Sequence, residues 1–160
     1  MLRIACTAAY PGLVDACEQA MRATLAKSVQ RVPKQGCVMV QACSMHWPCL
    51  FPQHGPGKKH EREIRLADWQ QRIIDESPKP FLRGLFHSDG CRAMNQVTVR
   101  GKRYAYPRYF FANESTDILG LCAAALDRVG AKWRLNRRNS LSVARAGSVA
   151  LLDTFIGPKA

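Results

Sequence analysis

Hydrophobic and polar positions along the chain set out a series of short elements. "LRIACTA" (Leu2 to Ala8) reads as a strand. "PGLVDACEQAMRATLA" follows as an amphipathic helix, with Leu13, Cys17, Ala20, Met21 and Leu25 on one face and Pro11 in its first turn. "SVQRVPKQGCVMVQAC" predicts two strands around a turn at "PKQG". "SMHWPCLF" is a short apolar segment cut by Pro48, and "PQHGPGKKHERE" is a linker rich in Pro, Gly and charge. "LADWQQRIIDE" predicts a helix that "SPKP" breaks. "FLRGLFHSDG" predicts a second helix, with Phe81, Leu82, Leu85 and Phe86 at helical spacing. "CRAMNQVTVRGKRYAYPRYFFAN" reads as a hairpin turning near Gly101. "STDILGLCAAALDRVG" is a helix with Ser115 or Thr116 as N-cap and Gly130 as C-cap. "KWRLNRRNSLSVAR" is a second hairpin, and "AGSVALLDTFIG" is a last helix.

The order of these elements repeats. The first helix can be laid on "TDILGLCAAALDRVGAK", where Cys17 falls on Cys122, an offset of 105 (122 − 17), and Arg3 falls on Arg108. "GCVMVQ" matches "SLSVAR", with Val40 on Val143, an offset of 103 (143 − 40). The fold class is therefore α+β. An αββαββα unit over residues 80–160 is preceded by a partial βαββα copy over residues 1–52, and residues 53–79 form a linker and connecting helix. At this offset the partners of residues 80 to 100 fall before Met1, so the first helix and strand of the first copy are missing.

Composition narrows the function. The 160 residues carry 24 Lys+Arg against 12 Asp+Glu, a net charge of +12, which points to a polyanion and first to nucleic acid. No apolar run approaches the ~20 residues that span a bilayer. Pro11 and Asp15 interrupt any signal-peptide core. Seven cysteines without an export signal read as reduced thiols, and the expected location is the cytoplasm.

The chemistry concentrates at "LRGLFHSDG" (Leu82 to Gly90). Gly84 costs about 1 kcal/mol against alanine in a helix interior, so it implies close approach of a partner helix. Ser88 is also small, and Gly90 is read as turning the chain away through a positive φ. Asp89 at a helix C-terminus is disfavoured by the helix dipole, and a divalent cation would compensate.

These residues resemble the LAGLIDADG motif of homing endonucleases. Leu82, Gly84, Leu85, Asp89 and Gly90 match it, Phe86 replaces an apolar position, and His87 stands where the family often has an acidic residue. The resemblance implies antiparallel sheets forming a DNA-binding saddle, and double-strand cleavage with Mg²⁺ held by Asp89. It also implies an assisting basic residue near the end of the last strand, for which Arg145 is the nearest match. The enzyme needs two motif helices, and this chain has one. Dimerisation through residues 81–89 would supply the second, as would an earlier start codon. Otherwise the chain is a catalytically inactive DNA-binding regulator.

The hairpins fit DNA on their residues alone. The first carries Arg92, Asn95, Gln96, Arg100, Lys102, Arg103, Tyr104 and Arg108. The second carries Lys132, Arg134, Asn136, Arg137, Arg138 and Arg145. A two-stranded ribbon enters the major groove, where Arg reads guanine and Asn or Gln reads adenine. Competing readings are weaker. Cys43, His46, Cys49, His54 and His60 permit zinc by spacing, but Pro48 and the lack of a second CxxC pair speak against it. His87 is read as packed or solvated rather than as a general base, and Cys91 as a small strand residue. Trp47, Trp69 and Trp133 are read as packing residues. "LADWQQRIIDE" has no recognition helix after it, which disfavours a helix-turn-helix.

Overall fold

The computed structural model describes residues 1–24 and 26–159. Its described elements are six α-helices, one 3-10 turn and two antiparallel sheets, an α+β architecture. The chain divides into two compact units, Met1–His54 and Gly55–Gly157.

In the first unit, β1 (Leu2–Thr7) leads into α1 (Pro11–Ala23), then β2 (Val29–Lys34), β3 (Cys37–Ala42) and α2 (Trp47–Leu50). The sheet order is β1-β3-β2. Alternate residues of β3, Val40 and Ala42, are buried with Val14 and Met21 of α1 and with Trp47, whose indole Nε1 donates to the Ala42 carbonyl at 3.0 Å. The buried face of α1 is thus Val14, Cys17 and Met21 at spacings of three and four, while Ala20 is exposed. Leu25, assigned to that face by periodicity, lies outside the described residues. Pro48 sits in the first turn of α2 rather than cutting the segment, because a first-turn N–H needs no intrahelical partner.

The second unit begins with a loop and a 3-10 turn (Lys59–Glu61), then α3 (Asp68–Glu76) and α4 (Pro78–Asp89). "SPKP" does not separate these helices by a loop. Ser77 alone joins them, and Pro78 and Pro80 form the first turn of α4, the place where proline is tolerated. The segment that the sequence assigns to a linker is tied to this unit. Ile64 N donates to Asp117 Oδ2 at 2.7 Å, and Arg128 pairs with Asp75 at 2.6 Å.

After α4 come β4 (Gly90–Val99), β5 (Lys102–Ala112), α5 (Thr116–Arg128), β6 (Arg134–Arg137), β7 (Ser140–Val143) and α6 (Ala146–Asp153), in sheet order β4-β5-β7-β6. Arg100 and Gly101, at φ +50 and +75, make the two-residue turn between β4 and β5. This left-handed pair matches strand twist, and glycine takes its half without a Cβ penalty. Ser115 caps α5 by accepting from Ile118 N, and Gly130 at φ +77 follows its end.

The core of this unit lies between the helices and one face of the sheet. Phe86 of α4 is 1 % exposed, with its ring centroid 5.3 Å from Tyr109 and 5.8 Å from Phe111 of β5. Truncating such a ring to alanine costs about 3–5 kcal/mol. Leu82, Leu126, Leu141 and Leu152 are fully buried around it.

The two sheets pair in the same register. Ile4 opposes Val40, and Tyr109 opposes Val143. Cys6 opposes Val38, and Phe111 opposes Leu141. Adding 105 to the first member and 103 to the second converts the four β1-β3 pairs from Ile4–Val40 to Thr7–Cys37 into the four pairs of β5-β7. The internal repeat seen in the sequence is therefore also a repeat of strand pairing.

Candidate nucleic-acid interface

Strand alternation sorts the basic and amide residues of the hairpins. Tyr109, Phe111, Leu141 and Val143 point to the core. Cross-strand partners share a face, so Arg92, opposite Tyr109, is on that same helix-covered side. Gln96 and Arg103 share its parity on their strands. The opposite, open face takes Asn95, Lys102, Tyr104 and Arg108, together with Arg134, which pairs with Ser142. The hairpin residues thus cannot all meet one ligand, because the two-residue period sends neighbours to opposite sides.

Arg92 is engaged on the helix side. Its Nε and Nη2 donate to the two carboxylate oxygens of Asp153 on α6, at 2.8 and 3.0 Å. Tyr109 Oη donates to the same carboxylate at 2.7 Å. The Arg92 hydrogen bond holds the Asp153 carboxyl below its ordinary value, and Asp153 in turn raises Arg92. Burial, then the Asp153 carboxylate, pushes the Tyr109 phenol up. The fork geometry makes Arg92 a staple between β4 and α6.

Arg108 is only 6 % exposed. Its Nη2 donates to Asn136 Oδ1 at 2.7 Å and to Ser142 Oγ at 2.6 Å, its guanidinium lies 4.8 Å from the Phe110 ring centroid, and its buried Nε has no hydrogen-bond partner. Among the described residues no carboxylate pairs with it. Asn136 is likewise occupied, accepting from Ser142 Oγ at 3.1 Å. Lys102, Arg100, Lys132, Arg134, Arg137, Arg138 and Arg145 are exposed. Arg138 pairs with Glu114 at 3.4 Å, and Arg145 is the N-cap residue of α6.

The distribution of charge is one-sided. Nine of the 24 Lys+Arg lie in the seven strands: Arg3, Arg31, Lys34, Arg92, Lys102, Arg103, Arg108, Arg134 and Arg137. None of the 12 Asp+Glu lies in a strand. Solvated surfaces ordinarily mix both signs. Helix carboxylates neutralise two of the nine, Arg31 by Asp15 and Glu18 and Arg92 by Asp153, and a polyanion would offset the repulsion among the others.

The motif helix ends as its sequence predicts, on Asp89, but Gly90 does not turn the chain with a positive φ. It is extended, at φ −105 and ψ 169, and is the first residue of β4. Its missing side chain serves close packing: a Cβ there would lie 2.5 Å from Phe86 Cδ1 and 2.7 Å from Phe86 Cα. Gly84 is exposed, and a Cβ would meet nothing within 4 Å. Asp89 Oδ2 accepts from Asn113 Nδ2 at 2.9 Å. Asn113 is buried between β5 and α5, its Oδ1 accepting from Ser115 N at 3.0 Å and its N–H donating to the Asn139 carbonyl at 3.0 Å. Nothing in the sequence singles out Asn113, because an asparagine before a helix reads as an ordinary turn residue.

The side chains around Asp89 are a partial fit to Mg²⁺. The Asp89 carboxylate supplies hard oxygen, but Asn113 turns its Nδ2 to it and its Oδ1 to Ser115 N, so the amide adds no oxygen ligand. Among the described residues, however, no three His, Cys, Asp or Glu side chains gather to hold a metal ion, which applies equally to Cys43, His46, Cys49, His54 and His60. One chain carries one carboxylate at the motif-helix end, so no catalytic step through Mg²⁺ follows from a single chain.

Other side chains fall as follows. The seven cysteines are free thiols, and Cys91 is exposed on β4. Trp47 is buried, but Trp69 is 38 % exposed on α3, so it is not a core residue. Trp133 Nε1 donates to Asp127 Oδ1 at 2.9 Å. Among the described residues no helix is long and apolar enough to cross a membrane. No protein-family profile matches the chain, and no curated protein is significantly similar to it.

Proposed function

We propose that this chain binds duplex DNA through its antiparallel sheets, as a LAGLIDADG-type protein of the homing-endonuclease kind. The observation that carries the reading is the charge pattern: nine basic residues and no acidic residue in the strands. Lys102, Arg134 and Arg137 would meet phosphates, Asn95 stands on the same face toward bases, and Arg108, buried and held by Asn136 and Ser142, adds positive charge beneath them. The order α4-β4-β5-α5-β6-β7-α6 and the repeated register support the family reading.

Cleavage belongs to a dimer in this proposal. Gly84 and Ser88 are exposed on α4, where a second copy of the helix would pack and bring a second Asp89 carboxylate. The pair of chains would then offer Mg²⁺ two carboxylates. A second reading, a catalytically inactive DNA-binding regulator of the same fold, is favoured by the single carboxylate that each chain carries at this helix end. The protein acts in the cytoplasm on either reading.

Titration of labelled duplex DNA at 50 and 200 mM salt tests the binding, together with nicking of supercoiled plasmid in Mg²⁺. Binding that weakens steeply with salt is expected. Nicking lost in Asp89→Asn with affinity retained marks a nuclease. Binding without nicking marks the regulator, and no binding to duplex removes both readings.

A further inference from the structure

The open face of the second unit's sheet carries a row of rings. Along β5 the residues on this face are Lys102, Tyr104, Tyr106, Arg108 and Phe110. Tyr104 is 46 % exposed. Tyr106 and Phe110 are partly exposed and belong to neither hydrophobic cluster, whereas Tyr109 and Phe111 of the same strand are buried in the core. The cross-strand neighbours on β4 are Val99, Val97, Asn95, Ala93 and Cys91, none of them charged, so β4 sets no acidic side chain beside the row. Cations stand against the rings. Lys102 Nζ lies 5.7 Å from the Tyr104 centroid, and the Arg108 guanidinium lies 4.8 Å from that of Phe110.

A duplex uses only the cations and amides of such a face and leaves its rings without a partner. Its bases stack about 3.4 Å apart and cover each other's faces, so a protein meets only their edges. Side chains on one face of a strand stand about 7 Å apart. Rings at that spacing meet the faces of bases only where the bases are unpaired and spread. Interleaved aromatic and basic residues on a sheet suit that ligand, because every base has a π-face and every linkage a phosphate.

We propose that this face is a base-stacking platform for single-stranded nucleic acid. Tyr104, Tyr106 and Phe110 take the faces of unpaired bases, and Lys102 and Arg134 take the phosphates. Arg108, held by Asn136 and Ser142, contributes a fixed positive field behind Phe110. The proposal deepens the nucleic-acid reading above and rests on its assignment of the sheet as the binding surface.

Fluorescence anisotropy with labelled oligomers of about 12 nucleotides tests it: oligo(dT), oligo(U) and a duplex of equal length. Oligo(dT), oligo(U) or both are expected to bind, and the comparison tells whether DNA or RNA is the source. Tyr104→Ala and Tyr106→Ala should each weaken single-strand binding roughly 5- to 150-fold, while Tyr104→Phe keeps it. A circular-dichroism melt identifies any variant that has unfolded, and the exposed Tyr104 pair of variants then carries the test. Single-strand binding indifferent to the loss of both rings overturns the platform. Duplex binding without single-strand binding overturns it and leaves the duplex reading standing. No binding to any oligomer overturns both.

Discussion

The Asn113 side-chain amide donates to Asp89 Oδ2 at 2.9 Å, joining the end of β5 to the end of α4 across 24 residues of sequence. Asn113 also caps the turn into α5 through Ser115 N. It thus orients the one carboxylate of the motif helix from a buried and fixed position.

Asn113→Ala should cost about 1–3 kcal/mol in urea unfolding, the penalty for removing a buried partner. In a double-mutant cycle with Asp89→Ala the two losses should add to less than their sum, since both variants remove this contact. Additive losses would separate Asn113 from Asp89.

The two glycines of the motif should respond in opposite ways. Gly84→Ala places a methyl in open space on a helix and should stabilise the monomer by up to about 1 kcal/mol. Gly90→Ala drives a Cβ to 2.7 Å from the Phe86 backbone and should lower the melting temperature markedly. If α4 also pairs between chains, Gly84→Leu should reduce the sedimentation coefficient and the nicking rate without loss of thermal stability.

Acid should weaken the link between β4 and α6. The Asp153 carboxyl is held below its ordinary value by Arg92, so its contribution is present above an unfolded pKa of about 3.9 and is lost as pH falls through the lower folded value. The pair is partly exposed, so the contribution is about 0.2–1 kcal/mol. Tyr109 has the opposite limb: its raised pKa keeps it protonated, and that contribution is lost as pH rises above about 10. Urea midpoints against pH should lose the acid limb in Asp153→Asn and the alkaline limb in Tyr109→Phe.

Basic residues on the two faces of β4 and β5 should separate in DNA titrations. Lys102→Ala and Arg134→Ala, on the open face, should each reduce the slope of log affinity against log salt by about 1. Arg92→Ala should leave that slope unchanged and lower stability instead, because its guanidinium is committed to Asp153.

The sequence by itself determined the elements, their order and the charge. Hydrophobic spacing, the Ser115 cap and the Arg100–Gly101 turn are local, and each marks its element without reference to the rest of the chain. The offsets of 105 and 103 were likewise legible, and they reappear in the pairing of Ile4 with Val40 and of Tyr109 with Val143. Tertiary structure decided which side chains meet. Arg92 reads in sequence as one more basic residue of a ribbon, and only the register opposite Tyr109 sends it to the helix side and to Asp153, 61 residues away. Gly90 reads as a turn glycine, and only the docking of β4 beneath Phe86 makes it a contact glycine. A strand's period is encoded along a few residues, but the face it turns to the core is chosen by the sum of distant contacts. That sum placed Tyr104, Tyr106 and Phe110 on the open face, the last two partly exposed, and Tyr109 and Phe111 inside.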